Sequence, residues 1–233
     1  MTRADDLAAN LDVVRHRISE ACAASGRDLA EVTLVVVTKN FPASDVRLLA
    51  DLGVTEVGEN RHQEAQVKAG ECADLNLTWH FIGGLQSNKA AAVASYADVV
   101  ESVDRTKLVD GLQRGALDRS HRVDCLVQVS LDPPDASDSR AGVTPDRLDE
   151  VAAAIEESSR LRLRGLMAIA PQGEDPPEAF ARLASIRSSF LTEHPGATWL
   201  SAGMSADLEE AVAAGATHVR IGSAVLGPRP AIK

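Results

Sequence analysis

The chain has 233 residues, 45% hydrophobic and 3% aromatic. No apolar run approaches the roughly 20 residues a membrane helix needs, so no membrane span is expected. A formal net charge of −10 speaks against nucleic-acid binding, which depends on lysines and arginines neutralising phosphates. Cys22, Cys72 and Cys125 stand far apart without CxxC spacing. They read as small apolar residues rather than as a disulfide framework or a metal site.

The N-terminus is acidic and lacks the basic and apolar regions of a secretory signal, so a cytoplasmic protein is expected. Residues 5–24 carry Leu7, Leu11, Val14, Ile18, Ala21 and Cys22 at helical spacing and end before Gly26, which predicts an opening helix. Residues 34–39 predict the first strand, and Pro42 opens a helix that closes at Gly53. Residues 55–60, 79–84 and 98–103 predict three further strands. Helices follow each, one opened by Gln86-Ser87-Asn88-Lys89 and one capped by Asp104. Residues 123–131 predict the longest β-branched strand.

Residues 132–142, dense in Pro, Asp, Ser and Gly, predict a loop of the kind that often forms lids. Thereafter helix 145–158, strand 164–169, helix 176–194, strand 198–202, helix 205–214 and strand 217–221 complete the alternation. Eight strands alternating with helices, with no hairpin, repeat or linker, predict an α/β fold. It is a (β/α)₈ TIM barrel with an extra N-terminal helix, spanning 1–233 as one domain. A doubly wound sheet is the structural alternative.

A barrel of this kind gathers chemistry at the C-terminal ends of its strands. Lys39 follows the apolar run Val35-Val36-Val37, where burial would depress its pKa and make its amine a nucleophile toward carbonyls. The alternative is a lysine that snorkels to solvent. On the eighth strand, alternation puts His218, Arg220 and Gly222 on one face. Arg220 then needs either a carboxylate such as Glu56 or Glu59, or a ligand. Gly203-Met204-Ser205 and Gly222-Ser223 sit where barrels form a phosphate cup after strands seven and eight. An amine facing a phosphate cup suggests a phosphorylated aldehyde held as a Schiff base.

These residues also carry a family resemblance. The chain resembles the pyridoxal phosphate homeostasis proteins, relatives of the alanine racemase barrel (fold type III). The motifs are VTKNFP (37–42), GEN (58–60), WHFIGGLQSNK (79–89), SVDR (102–105), RLRGLMAI (162–169), LSAGMSADLEEAVAAG (200–215) and VRIGSAVLG (219–227). The resemblance implies that Lys39 is the Schiff-base lysine for pyridoxal 5′-phosphate and that Asn60 lies beside the cofactor. It implies further that Ser205, Gly222 and Ser223 hold the phosphate and that Arg220 faces the pyridine nitrogen. A cation there makes the ring a poorer electron sink.

Racemases of this type draw a second proton-transfer tyrosine from a C-terminal β domain, which this chain, ending at Lys233, is expected to lack. Its one tyrosine, Tyr96, falls before strand four. The implied function is therefore holding and handing on pyridoxal phosphate, with no catalytic or metal-ligating residue and with apo-enzymes as recipients. A monomer or weak dimer is expected. The alternatives are a pyridoxal phosphate racemase and a phosphosugar isomerase or lyase using Lys39. His80 reads as a packed, hydrogen-bonded histidine. Lys89 reads as either a surface charge or a ligand contact. Arg140 stands where the family usually has lysine, and Arg61 where it often has an aromatic.

Overall fold

The apolar runs of the sequence become the staves of a closed barrel. The computed structural model describes residues 2–132 and 141–228. Its strands are β1 (Thr33–Val37), β2 (Glu56–Glu59), β3 (Thr78–Phe81), β4 (Val99–Val103), β5 (Val123–Gln128), β6 (Leu161–Met167), β7 (Trp199–Ser201) and β8 (His218–Ile221). Each pairs in parallel with the next, and β8 pairs with β1 through Leu34↔Val219 and Val36↔Ile221. That closure excludes the doubly wound sheet. Strands covered on both faces need no polar alternation, and every residue of β4 and β5 is buried.

The helices are α1 (Arg3–Ala24), α2 (Ala43–Asp51), α3 (His62–Glu71), α4 (Ala90–Ala94), α5 (Thr106–Gly115), α6 (Leu148–Glu157), α7 (Pro176–Glu193), α8 (Leu208–Ala213) and α9 (Ser223–Leu226). Thr2 and Asp5 form a capping box that starts α1. One face of α1 buries Leu7, Leu11, Val14 and Ile18 against Leu208, Val212, Val225 and Leu226. Each such side chain contributes about 1.5–3 kcal/mol relative to an exposed one. The extra helix thus clamps the segments that follow β7 and β8. Arg3 extends the clamp, donating to Asp45 at 2.6 Å and to the Leu226 carbonyl at 3.1 Å.

Three local expectations are corrected. Asp104 does not cap α5: Arg105 occupies the cap position in extended conformation, ion-paired with Asp104 and donating to the Leu85 carbonyl at 2.9 Å. The helix after β7 begins at Leu208 rather than Ser205. Gly203 takes φ +91 and the Asp207 carboxylate accepts the Met204 N–H at 2.6 Å, so 205–207 form a turn first. Gln86 to Lys89 likewise precede α4, with 87–89 as a turn. Most of the expected 132–142 loop, Arg140 included, lies outside the described residues. Cys22, Cys72 and Cys125 are all buried free thiols. Among the described residues, no helix is long and apolar enough to cross a membrane.

Candidate functional site

β1 ends at Val37, and the backbone turns sharply just beyond it. Thr38 is fully buried, Lys39 is half-buried, and Asn40 takes φ 68, a left-handed conformation that asparagine tolerates better than most residues. Lys39 therefore stands two residues past the ladder. The turn that carries it is tied down from α3. Lys68 Nζ donates to the Thr38 carbonyl at 2.7 Å, to Glu59 Oε1 at 2.6 Å and to Glu64 Oε1 at 2.7 Å, which uses all three of its protons. Glu59 Oε1 also accepts the Thr38 hydroxyl at 2.6 Å, and Glu64 Oε1 accepts the Asn40 N–H at 2.5 Å. Burial pushes the Glu59 carboxyl up, against the opposing pull of Lys68 and Thr38.

Arg220 is 4% exposed and points into the barrel. Its Nη1 donates to Ser201 Oγ at 2.7 Å and its Nη2 to the Ala168 carbonyl at 2.9 Å. The nearest carboxylate is Glu101 of β4, 3.8 Å away, and neither Glu56 nor Glu59 is the partner. Strand alternation explains the correction: Glu59 faces α3 and Lys68, outside the barrel, while Glu56 is bound by His80 nearer the opposite mouth.

Glu101 is itself held from two sides. Its Oε2 accepts Ser201 Oγ at 2.5 Å and its Oε1 lies 2.7 Å from His80 Nδ1. Burial, the largest single influence, disfavours both charges, yet the hydrogen bonds and opposite charges around them together outweigh it. His80, bonded also to Glu56, is pushed up to about 9, and Glu101 is held down to about 2. His80 is thus the packed, hydrogen-bonded histidine expected.

The loops after β7 and β8 complete the site. Gly222 passes so close to β1 that a Cβ there would lie 3.2 Å from the Val37 carbonyl oxygen. Ser223 is exposed at the start of α9. Ser205 lies in the turn before α8, and its carbonyl accepts Arg17 Nη1 of α1 at 3.1 Å. Asn60, exposed after β2, lies against Gly83, where a Cβ would fall 2.0 Å from the Asn60 carbonyl oxygen.

The structure brings all six expected site residues, Lys39, Asn60, Ser205, Arg220, Gly222 and Ser223, to one cavity of about 320 Å³. Its walls are apolar: Val37, Phe41, Ile82, Ile169 and Met204. Two cations, two hydroxyls and a glycine backbone in such a setting suit a small, flat, anionic ligand with a carbonyl.

Other candidates fall outside this cavity. Tyr96 stacks on His62 with ring centroids 5.9 Å apart, its hydroxyl buried, and burial pushes its pKa up. Lys89 is half-buried at the N-cap of α4, and Arg61 is exposed at that of α3. Sequence reasoning missed Lys68, Glu101, Ser201 and Arg17. Only Lys68 left a local signal, its i,i+4 spacing from Glu64.

The sequence model of the family described as "Alanine racemase, N-terminal domain" matches residues 6–230. The pyridoxal phosphate homeostasis protein of Mycobacterium bovis is 42% identical over 246 residues, covering 97% of this chain and 94% of the relative. That of Escherichia coli is 40% identical over 231 residues, covering 97% of each. Among solved structures, PipY of Synechococcus elongatus with pyridoxal phosphate bound is 36% identical with a TM-score of 0.77. The match covers 90% of this chain and 100% of PipY.

Proposed function

The chain belongs to the pyridoxal phosphate homeostasis protein family, and from that premise we propose that it holds pyridoxal 5′-phosphate on Lys39 in the cytoplasm, as one domain, and releases it to apo-enzymes. The single observation that carries this reading is the convergence of Lys39, Arg220, Ser205 and Gly222-Ser223 on one apolar-walled cavity. The residues suit the group: Gly222, lacking a Cβ, lets the chain pass close against Val37 of β1 at the cavity wall, and the Ser205 and Ser223 hydroxyls would supply donors to a phosphate. The Lys39 amine would condense with the aldehyde, forming a C=N bond and releasing one water. Bound, the cofactor supplies an electrophilic imine and an electron-withdrawing ring.

The residues around it are arranged to bind. The turn anchored by Lys68 holds the Lys39 backbone, and the α1 clamp fixes the Ser205 loop through Arg17. Arg220, lining the cavity, would set its guanidinium beside the pyridine nitrogen, where a cation would disfavour a proton on that nitrogen and mute carbanion chemistry. Among the described residues, no tyrosine, histidine, cysteine or carboxylate lines the cavity. This supports holding over racemisation, which needs a second proton-transfer group.

The reading is tested by loading the protein with pyridoxal phosphate and mixing it with an apo-enzyme, against free cofactor as reference. Visible absorbance on loading, followed by recovery of enzyme activity with a time course set by release from the carrier, is the expected result. Rapid racemisation of amino acids by the loaded chain would contradict it.

A further inference from the structure

The hydrogen bonds around Arg220 do not stop at Glu101. His80 Nε2 lies 2.9 Å from Glu56 Oε2, so the imidazole bridges two carboxylates. A carboxylate accepts at both ends only if both ring nitrogens donate, which requires the imidazolium. The donor directions are then set along the whole path. Arg220 donates to Ser201, Ser201 to Glu101, and His80 to both Glu101 and Glu56. These residues come from β8, β7, β4, β3 and β2, and all face the interior.

The two ends of the path open on different cavities. Arg220 lines the cofactor cavity, while Glu56, its side chain 22% exposed, lines a cavity of about 460 Å³ at the N-terminal mouth. The charges alternate along it: Glu56 negative, His80 positive, Glu101 negative, Arg220 positive. Because His80 and Ser201 claim the Glu101 oxygens, the direct Glu101 to Arg220 contact is stretched to 3.8 Å. The remaining charged or titratable neighbours are Asp207 before α8, whose charge favours the Arg220 cation, His218 of β8, whose ring lies 6.1 Å from that of His80, and Arg164 of β6 beside Trp199. Burial holds His218 down to about 4, so it stays neutral.

We propose that Glu56, His80, Glu101 and Ser201 form a positioning chain through the barrel that sets how strongly Arg220 acts on the cofactor ring, coupling protonation at the N-terminal mouth to pyridoxal phosphate at the other. The proposal rests on the reading given under Proposed function. If His80 loses its proton, Glu101 keeps a single cationic neighbour and draws Arg220 toward it, away from the ring edge. Linkage makes the coupling reciprocal, so loading the cofactor must shift the titration of His80.

The test is a pH titration of the visible absorbance of the loaded full-length protein, with Glu56→Gln as the probe and Asp124→Asn as a control. Asp124 is a carboxylate of the same mouth outside the chain. Removing the Glu56 charge lets His80 deprotonate sooner, so the spectral midpoint should fall by about one pH unit, the size of shift one adjacent charge makes. Asp124→Asn should keep the parent midpoint. A merely structural role for Glu56 would lower thermal stability and leave the midpoint alone, which overturns the proposal.

Nitrogen NMR of the His80 ring in the unsubstituted protein, with and without pyridoxal phosphate, provides a second measurement independent of any variant. A midpoint that moves on loading supports the chain, and one that does not refutes it. Failure of the parent protein to develop visible absorbance would remove the cofactor reading itself. Normal absorbance with an unmoved midpoint removes the positioning chain alone.

Discussion

At the N-terminal mouth of the barrel, Arg162 and Arg164 share Asp124, Arg119 is paired with Asp98, and Glu56 is taken by His80. The C-terminal mouth instead directs Lys39, Arg220, two serine hydroxyls and a glycine backbone at an apolar-walled cavity. The same eight strands build both ends, so the difference lies in what the charges face. At the first mouth Arg162 and Arg164 of β6 are held by Asp124 of the neighbouring β5, which secures strand ends. No carboxylate among the described residues lines the second cavity, and its cations and hydroxyls suit an anionic ligand.

The largest effect should come from cutting the support beneath the C-terminal mouth. Lys68→Met leaves Glu59 buried without its cation and should cost about 3–5 kcal/mol of stability by denaturant unfolding. It should also weaken cofactor capture by loosening the Lys39 turn. At the cavity itself, Ser223→Ala removes one hydroxyl from the phosphate cup. A hydrogen bond to a charged group contributes about 1.5–3 kcal/mol, so affinity for pyridoxal phosphate should fall about 10-fold to 100-fold in fluorescence titration. Its melting temperature should barely change.

Between the mouths, His80 makes stability depend on pH. It holds its proton more tightly folded, at about 9, than at its ordinary 6.5. Its contribution is therefore full below about pH 6.5 and lost as the pH rises through about 9. Glu101 is the reverse, held at about 2 against an ordinary 4.5. Its contribution is full above about pH 4.5 and lost as the pH falls toward 2. Melting temperatures across pH 6.5–9 should decline, and His80→Asn should flatten that decline. The smallest effect belongs to the N-terminal mouth. Asp124→Asn breaks contacts to Arg162 and Arg164, whose side chains are 52% and 28% exposed. It should cost about 0–1 kcal/mol and leave cofactor affinity unchanged.

The contrast between the mouths also explains what could be read in advance. Lys39, Asn60, Ser205, Arg220, Gly222 and Ser223 stand at or just beyond strand ends, and strand ends are visible as apolar runs meeting glycine, proline or polar residues. Local periodicity likewise exposed the eight strands and the face of α1. Glu101 and Ser201 were hidden because their meeting depends on which residues face one another across the closed barrel, from strands that are not neighbours. Glu56 and Glu59 looked equivalent as acceptors for Arg220. Their alternation, one facing in and one facing out, becomes decisive only once closure defines an inside. Lys68 carried no sign of burial in its local pattern, since that burial arises from the turn after β1 folding down onto α3. The cap misassigned to Asp104 falls to Arg105, whose side chain reaches back to the Leu85 carbonyl, and the helix start misassigned to Ser205 was decided by Asp207, whose carboxylate accepts the Met204 N–H.

The central claim is that Lys39 captures pyridoxal phosphate at the C-terminal mouth. Borohydride reduction of the loaded protein, followed by peptide mapping by mass spectrometry, tests it most directly. A single pyridoxyl-phosphate label on Lys39, abolished in Lys39→Ala while the variant stays folded, is the predicted result. A label carried chiefly by Lys89 or another lysine, or no label at all, would contradict it.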